Sequence, residues 1–288
     1  MAQTRVITLD LNFQGRPKAI ASYLIRYGDG AVLIESGPGS TRAALEAGLA
    51  QESLSPRDVT HVLLTHIHLD HAGAAGWLAR QGAQVYVHPV GAPHMLNPDK
   101  LIASATRIYG DMMETLWGEF LPVPEEQLNI AQDMQEIVIG NLRFLPINTP
   151  GHAEHHYAYL FEGVCFSGDV GGVRSPGYQY LRIPMVPPEL HLERWHASMK
   201  RLRGEKFARI APTHFGIFDD PEWHLREVEK AIEDAERWME EVMPADPSIE
   251  ELRQLFTERM LADNEKLGLS EEVVNAYQLA NPPGMSAD

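Results

Sequence analysis

"THIHLDHAG" occupies residues 65 to 73 and sets His66, His68, Asp70 and His71 within six consecutive positions, directly behind the apolar run Val62 to Leu64. The run reads as a short strand near residues 60 to 65, so the cluster lies in the loop at the end of a buried strand. Imidazole mixed with carboxylate favours zinc, manganese or iron, whereas calcium and magnesium take oxygen ligands alone. In an extended loop residues i and i+2 project to one side, so His66 and His68 present their rings together. The Asp70-His71 step then turns and offers a second cluster a few ångströms away, a geometry that suits two metals better than one.

Three further strand ends supply the same residue types: His152 in "TPGH", Asp169 in "SGD" and His214 in "PTHFG". The first follows "EIVIGNLRFLPINTP", with a hairpin turn at Gly140-Asn141; the second follows "HYAYLFEGVCFSGD", with a turn at Glu162-Gly163; the third closes "ARIAPTHFG". Ligands from four strand ends converge on one rim of a β scaffold.

Around these segments the N-terminal half alternates strands and helices. "AIASYLIRY" and "AVLIES" form a hairpin, "STRAALEAGLAQES" a helix with Ser40 or Thr41 as N-cap, "GAAGWLARQGA" a second helix and "QVYVHP" a strand, the rhythm of an α/β protein. Residues 91 to 133 break it. That segment is helical in tendency and carries Met95, Leu96, Ile108, Tyr109, Met112, Met113, Leu116, Trp117 and Phe120. At helical spacing the stripe reads as core or as a subunit contact, which would make the chain a homodimer; a lid or pocket wall is the alternative. Residues 170–188 form a loop rich in Gly and Pro, followed by a helix near 189 to 203. From Asp219 the texture is helical, with Pro221 in a first turn, an apolar seam through Trp223, Val228, Ile232, Ala235 and Trp238, and two further helices near 248 to 266 and 270 to 280.

The chain has 288 residues, 44% hydrophobic and 22% charged, which suits one large globular domain or one domain with an appendage. Its 24 basic against 40 acidic residues, a formal charge of −16 with no basic patch, oppose a nucleic-acid partner. The single cysteine, Cys165, leaves no internal disulfide and fits a reducing compartment; inside "VCF" it reads as a core residue. With neither a signal-peptide pattern nor an apolar stretch of about 18 residues, the expectation is a cytoplasmic protein without a membrane partner.

The order T-H-x-H-x-D-H, T-P-G-H, G-D, T-H over roughly residues 15 to 217 resembles the metallo-β-lactamase-fold superfamily, closest in texture to its glyoxalase II-like and lactonase-like hydrolases. The resemblance implies an α/β fold, a four-layer αββα sandwich, with a catalytic domain over residues 1–218 that carries a helical insertion at about 91–133, and a C-terminal helical extension over 219–288. It implies two divalent metal ions, zinc first with manganese, iron or cobalt as alternatives. His66, His68 and His152 would hold one; Asp70, His71 and His214 the other; Asp169 would bridge them. A metal-bridging hydroxide would attack a small ester, thioester, lactone or related substrate, with Asp70 as the catalytic proton relay as well as a ligand. The alternative on the same fold is a mononuclear iron, persulfide dioxygenase-like enzyme.

Departures from the family pattern are specific. Glu35, in "IESGPG", stands where an Asp is usual. "AEHH" follows T-P-G-H, which makes His156 a match for a bracing position and leaves His155 without one. Gly171 and Gly172 follow Asp169 where lactonases of this fold carry a Tyr, with Tyr178 or Tyr180 as substitutes, and the basic glutathione positions of glyoxalase II find no match. His61, His88, His94, His191, His196 and His224 read as capping, packing or solvent-facing residues.

Overall fold

Strand alternation sorts the chain into layers. A computed structural model describes residues 4–28, 30–186 and 189–268. Its first half contains β1 (Val6–Asp10), β2 (Ala21–Tyr27), β3 (Gly30–Ile34), α1 (Arg42–Gln51), β4 (Val59–Leu63), α2 (Leu69–Ala72), α3 (Ala75–Arg80), β5 (Gln84–Val87), α4 (Ala92–Leu96), α5 (Asp99–Tyr109), α6 (Met113–Trp117) and β6 (Leu128–Ile130). The second half contains β7 (Ile137–Ile139), β8 (Leu142–Asn148), β9 (Tyr157–Phe161), β10 (Val164–Phe166), α7 (Leu192–Arg203), β11 (Arg209–Ala211), α8 (Pro221–Val242) and α9 (Ile249–Leu267). The strands build a six-stranded sheet in the order β1-β2-β3-β4-β5-β6 and a five-stranded sheet in the order β11-β10-β9-β8-β7.

Both sheets are apolar on both faces, so each must be covered twice. In β3, Val32 and Ile34 point into a central core shared with Tyr157, Tyr159 and Phe161 of β9, while Ala31 and Leu33 point the other way onto Leu45, Leu49 and Leu78 of α1 and α3. In β9 and β10, Ala158 and Cys165 face outward onto Trp195, Met199, Val228 and Ile232 of α7 and α8. Three apolar layers separated by two sheets make an αββα sandwich. Trp238 continues the α8 seam onto α9, its ring 5.8 Å from Phe256.

Residues 91 to 133 depart from the all-helical expectation. Leu128–Ile130 pairs in parallel with Val85–Val87 and extends the first sheet as β6. Three residues are too few for a period to declare itself, and pairing with β5 decides the outcome. The apolar stripe of this segment is divided: Met95, Leu116 and Trp117 are buried in the first outer core, whereas Leu101, Ile108 and Tyr109 line a cavity. Neither proposed cap hydroxyl caps α1. Ser40 Oγ donates to Leu116 O and Thr41 Oγ1 to Pro38 O, which ties the entry of α1 to α6. The helix expected near 270 to 280 lies outside the described residues. No described helix is long and apolar enough to cross a membrane.

Candidate metal centre

β4, β8, β10 and β11 all end at one edge of the sandwich, and the segments leaving their C-terminal ends carry residues 65–71, 152, 169 and 214. All seven sequence-derived residues meet there. His66 Nε2 and His152 Nε2 each lie 3.0 Å from His68 Nδ1. The donor atoms of these three residues lie within 4.8 Å of one another, and so do those of Asp70, His71 and His214. Asp169 stands between the two clusters: Oδ2 is 3.3 Å from His152 Nε2, while Oδ1 is 3.2 Å from His71 Nε2 and 3.4 Å from His214 Nε2.

The far edge of each ring sets its tautomer. Nδ1–H of His66 donates to Thr65 Oγ1 (3.1 Å), of His71 to Glu35 Oε1 (3.0 Å), of His152 to Pro184 O (2.9 Å) and of His214 to Ala19 O (2.9 Å). Each bond turns Nε2 inward, the atom that a metal-ligating imidazole presents. The backbone beside His214 is held by Ala21 N–H on Thr213 O (2.9 Å) and Gly216 N–H on Tyr23 Oη (3.2 Å).

Charge divides the clusters. Burial and the neighbouring imidazoles depress His66, and burial takes His68 down to about 3; burial also lowers His152. These three rings are neutral at pH 7. Burial opposes charge on His71 and His214 too, but Asp169 and Asp70 outweigh it and raise both. Against the same opposition from burial, His71 and His214 hold the Asp70 and Asp169 carboxyls below the usual range. Two observations fit this set to cations. With His66 and His152 both presenting Nε2 lone pairs to His68 Nδ1, a single proton cannot satisfy both 3.0 Å contacts. Buried His71 Nε2 and Asp169 Oδ1 also lack a hydrogen-bond partner among the described residues.

The bracing includes residues the sequence misjudged or missed. Glu35, where the family pattern has Asp, braces the loop: its carboxylate accepts from Thr65 N–H (3.3 Å), the Thr65 hydroxyl, His71 Nδ1–H and the Thr213 hydroxyl (3.1 Å). His156 meets the expectation, accepting from Asp169 N–H at Nε2 (3.2 Å) and facing Thr149 Oγ1 with Nδ1 (2.9 Å). His155 is a correction. Its Nδ1 accepts from Ile67 N–H (3.4 Å) and its Nε2 faces Glu189 (3.2 Å), so it too supports the histidine loop. Gly168 adopts φ +51°, and a Cβ there would sit 2.6 Å from His156 Nε2 and Thr65 Oγ1. His224, expected to cap, pack or face solvent, is buried and donates to Gly171 O (2.6 Å). Cys165 is a buried core residue whose thiol burial pushes up, away from a reactive thiolate.

A cavity of about 260 Å³ opens over His68, Asp70, Asp169 and His214. Leu101, Ser104, Ala105, Ile108 and Tyr109 of α5 form one wall; Val173, Pro184 and Val186 line it as well. Neither Tyr178 nor Tyr180 lines this cavity; Tyr180 hydrogen-bonds Arg182 instead. The tyrosine at the site is Tyr109, nine positions along α5 from Lys100 and far in sequence from Asp169. Its only advance signal was membership of the apolar stripe.

Residues 15–214 match the profile of the metallo-beta-lactamase superfamily. The chain belongs to that superfamily. Among its members, the chain is similar to a metallo-beta-lactamase fold-containing protein of Sulfurisphaera tokodaii, 28% identical over 174 residues that cover 58% of this chain and 66% of the relative. It is also similar to an atrochrysone carboxyl ACP thioesterase of Aspergillus fumigatus, 23% identical over 203 residues, 69% of this chain but only 38% of the relative. In fold it resembles the crystal structure of a metallo-beta-lactamase family protein from Thermus thermophilus, with a TM-score of 0.64 over 85% of this chain and 83% of that one at 22% identity.

Proposed function

We propose that this superfamily member is a dinuclear metal-dependent hydrolase of a small ester, thioester or lactone. The observation that carries the reading is the division of Asp169, with Oδ2 toward His152 and Oδ1 toward His71 and His214. His66, His68 and His152 would hold one cation and Asp70, His71 and His214 the other, with Asp169 bridging; zinc suits this donor set first, and manganese, iron or cobalt also fit it. When bound, such a pair acidifies water and polarises a carbonyl oxygen.

The protein's own groups do the rest. Asp70 is partly exposed to the cavity and ionised at neutral pH, so it can accept a proton and pass it to a leaving group. Tyr109 is neutral, because burial and the charge of Asp70 both raise its phenol, and it enters the cavity as a hydrogen-bond donor for a developing negative oxygen. Leu101, Ile108, Trp117, Val173 and Val186 exclude water and accept an acyl chain of a size that about 260 Å³ admits. A thioesterase among the relatives supports the thioester arm.

The test is turnover of a panel of thioesters, lactones and carboxylic esters by the wild type, Asp70→Asn and Tyr109→Phe. At least one class is hydrolysed, and Asp70→Asn lowers kcat by roughly 10²-fold or more. Absence of hydrolysis together with oxygen uptake on persulfides would replace this reading by the redox one.

A further inference from the structure

We infer that α8 is a positioning clamp for the segments that carry Asp169 and His214, acting through Arg174 and His224, so that it sets the affinity of the second cluster for a divalent cation more strongly than that of the first. The inference rests on the two-metal reading above.

Arg174 lies five residues beyond Asp169 and is buried. Its main chain is paired with the His214 segment: Arg174 N–H donates to His214 O (2.6 Å) and Phe215 N–H donates to Arg174 O (3.2 Å). Its side chain is held by the start of α8. The guanidinium makes a two-pronged pair with Asp220, Nη1 to Oδ1 at 2.6 Å and Nη2 to Oδ2 at 2.9 Å, and its carbon stands 4.0 Å from the ring centroid of Phe218 and 4.3 Å from that of Trp223. One turn into α8, His224 continues the chain of contacts. Its Nδ1 accepts from Arg174 Nη1 (3.4 Å), and its Nε2–H donates to Gly171 O (2.6 Å), two residues from Asp169.

Two of the segments that carry second-cluster groups, 169–171 and 214, are therefore fastened to one helix by one arginine and one histidine. In the first cluster His66 is fastened to Thr65 and His152 to Pro184, and that cluster meets the clamped segments at Asp169. Residues that orient ligands from behind typically change metal affinity by about 10–100-fold when lost. A clamp that holds His214 of the second cluster and the shared Asp169 should weaken one binding step more than the other.

The experiment is stepwise Co²⁺ titration of metal-free wild type, Arg174→Met and His224→Gln, followed by the d–d absorption of each step, with circular dichroism to confirm folding. Arg203→Ala is the control: Arg203 also ties α7 to α8, through Glu222 and Glu229, but on an exposed face. Expected are two steps in the wild type, one of them weakened on the order of tenfold to a hundredfold and the other less in both clamp variants, and both steps unchanged in Arg203→Ala. Should Arg174→Met fail to fold, His224→Gln and Arg174→Lys carry the comparison. Equal weakening of both steps, no weakening, or the same weakening in Arg203→Ala would overturn the clamp while leaving two metals in place. A single step in the wild type would overturn the two-metal reading, and the clamp with it.

Discussion

Replacing Glu35 tests whether a buried carboxylate, rather than the metals, preorganises the histidine loop. Glu35 is fully buried and accepts from four donors, three of them, the Thr65 hydroxyl, His71 Nδ1–H and the Thr213 hydroxyl, at the same oxygen, Oε1. In Glu35→Gln the amide oxygen keeps those three, and the new NH₂ faces Thr65 N–H, donor against donor; the loss is about 1–3 kcal/mol. In Glu35→Ala all four donors are stranded without water, and at about 1 kcal/mol each the loss is at least about 4 kcal/mol. Residue 35 adopts φ +68°. That left-handed backbone costs Glu, Gln and Ala alike, so it cancels in the comparison. Urea denaturation of the metal-free proteins measures both losses by linear extrapolation. A Glu35→Ala loss under about 1 kcal/mol, or equal losses for the two variants, would refute the account of Glu35 as the common acceptor.

Two further outcomes follow from the same geometry. Gly168→Ala forces a Cβ within 2.6 Å of His156 Nε2 and Thr65 Oγ1 at φ +51°, and should cost about 2–4 kcal/mol in the same denaturation assay; a neutral substitution would show that the turn before Asp169 has slack. Burial pushes the His224 imidazole down to about 4, with Arg174 adding to the effect and Asp220 and the bond to Gly171 opposing it. Above the unfolded value near 6.5 both states are neutral; as pH falls below it the unfolded chain binds a proton that the fold refuses, so stability drops until about pH 4. The stability advantage of wild type over His224→Gln in metal-free protein should therefore shrink by about 3 kcal/mol between pH 7 and pH 4. A constant difference across that range would place the source elsewhere.

Short-range patterns made most of the strand ends legible. "THIHLDHAG" declares its ligands because the i, i+2 spacing and the preceding apolar run are local, and the hairpins at Gly140-Asn141 and Glu162-Gly163 are likewise written in two residues each; in the structure Glu162 and Gly163 both take positive φ. What escaped depends on contacts between distant segments. Tyr109 looked like one more apolar group in a stripe until α5 packed over Asp70, and β6 had too few residues to show a strand period before β5 supplied its partner. The family pattern marks His156 and not its neighbour, so the role of His155 shows only once the fold brings Ile67 N–H to its Nδ1 across 88 residues of sequence. The Arg174–His224 pair spans 50 residues, and neither residue carries a local motif.

The direct test of the central claim is the metal content per chain, by plasma mass spectrometry, of wild type and Asp169→Ala purified without added metal or chelator. The account predicts about two equivalents of divalent metal in the wild type, with zinc foremost, and a loss of metal together with activity in Asp169→Ala, because its two oxygens serve both clusters. Near one equivalent of iron in the wild type, or full metal content and turnover in Asp169→Ala, would contradict it.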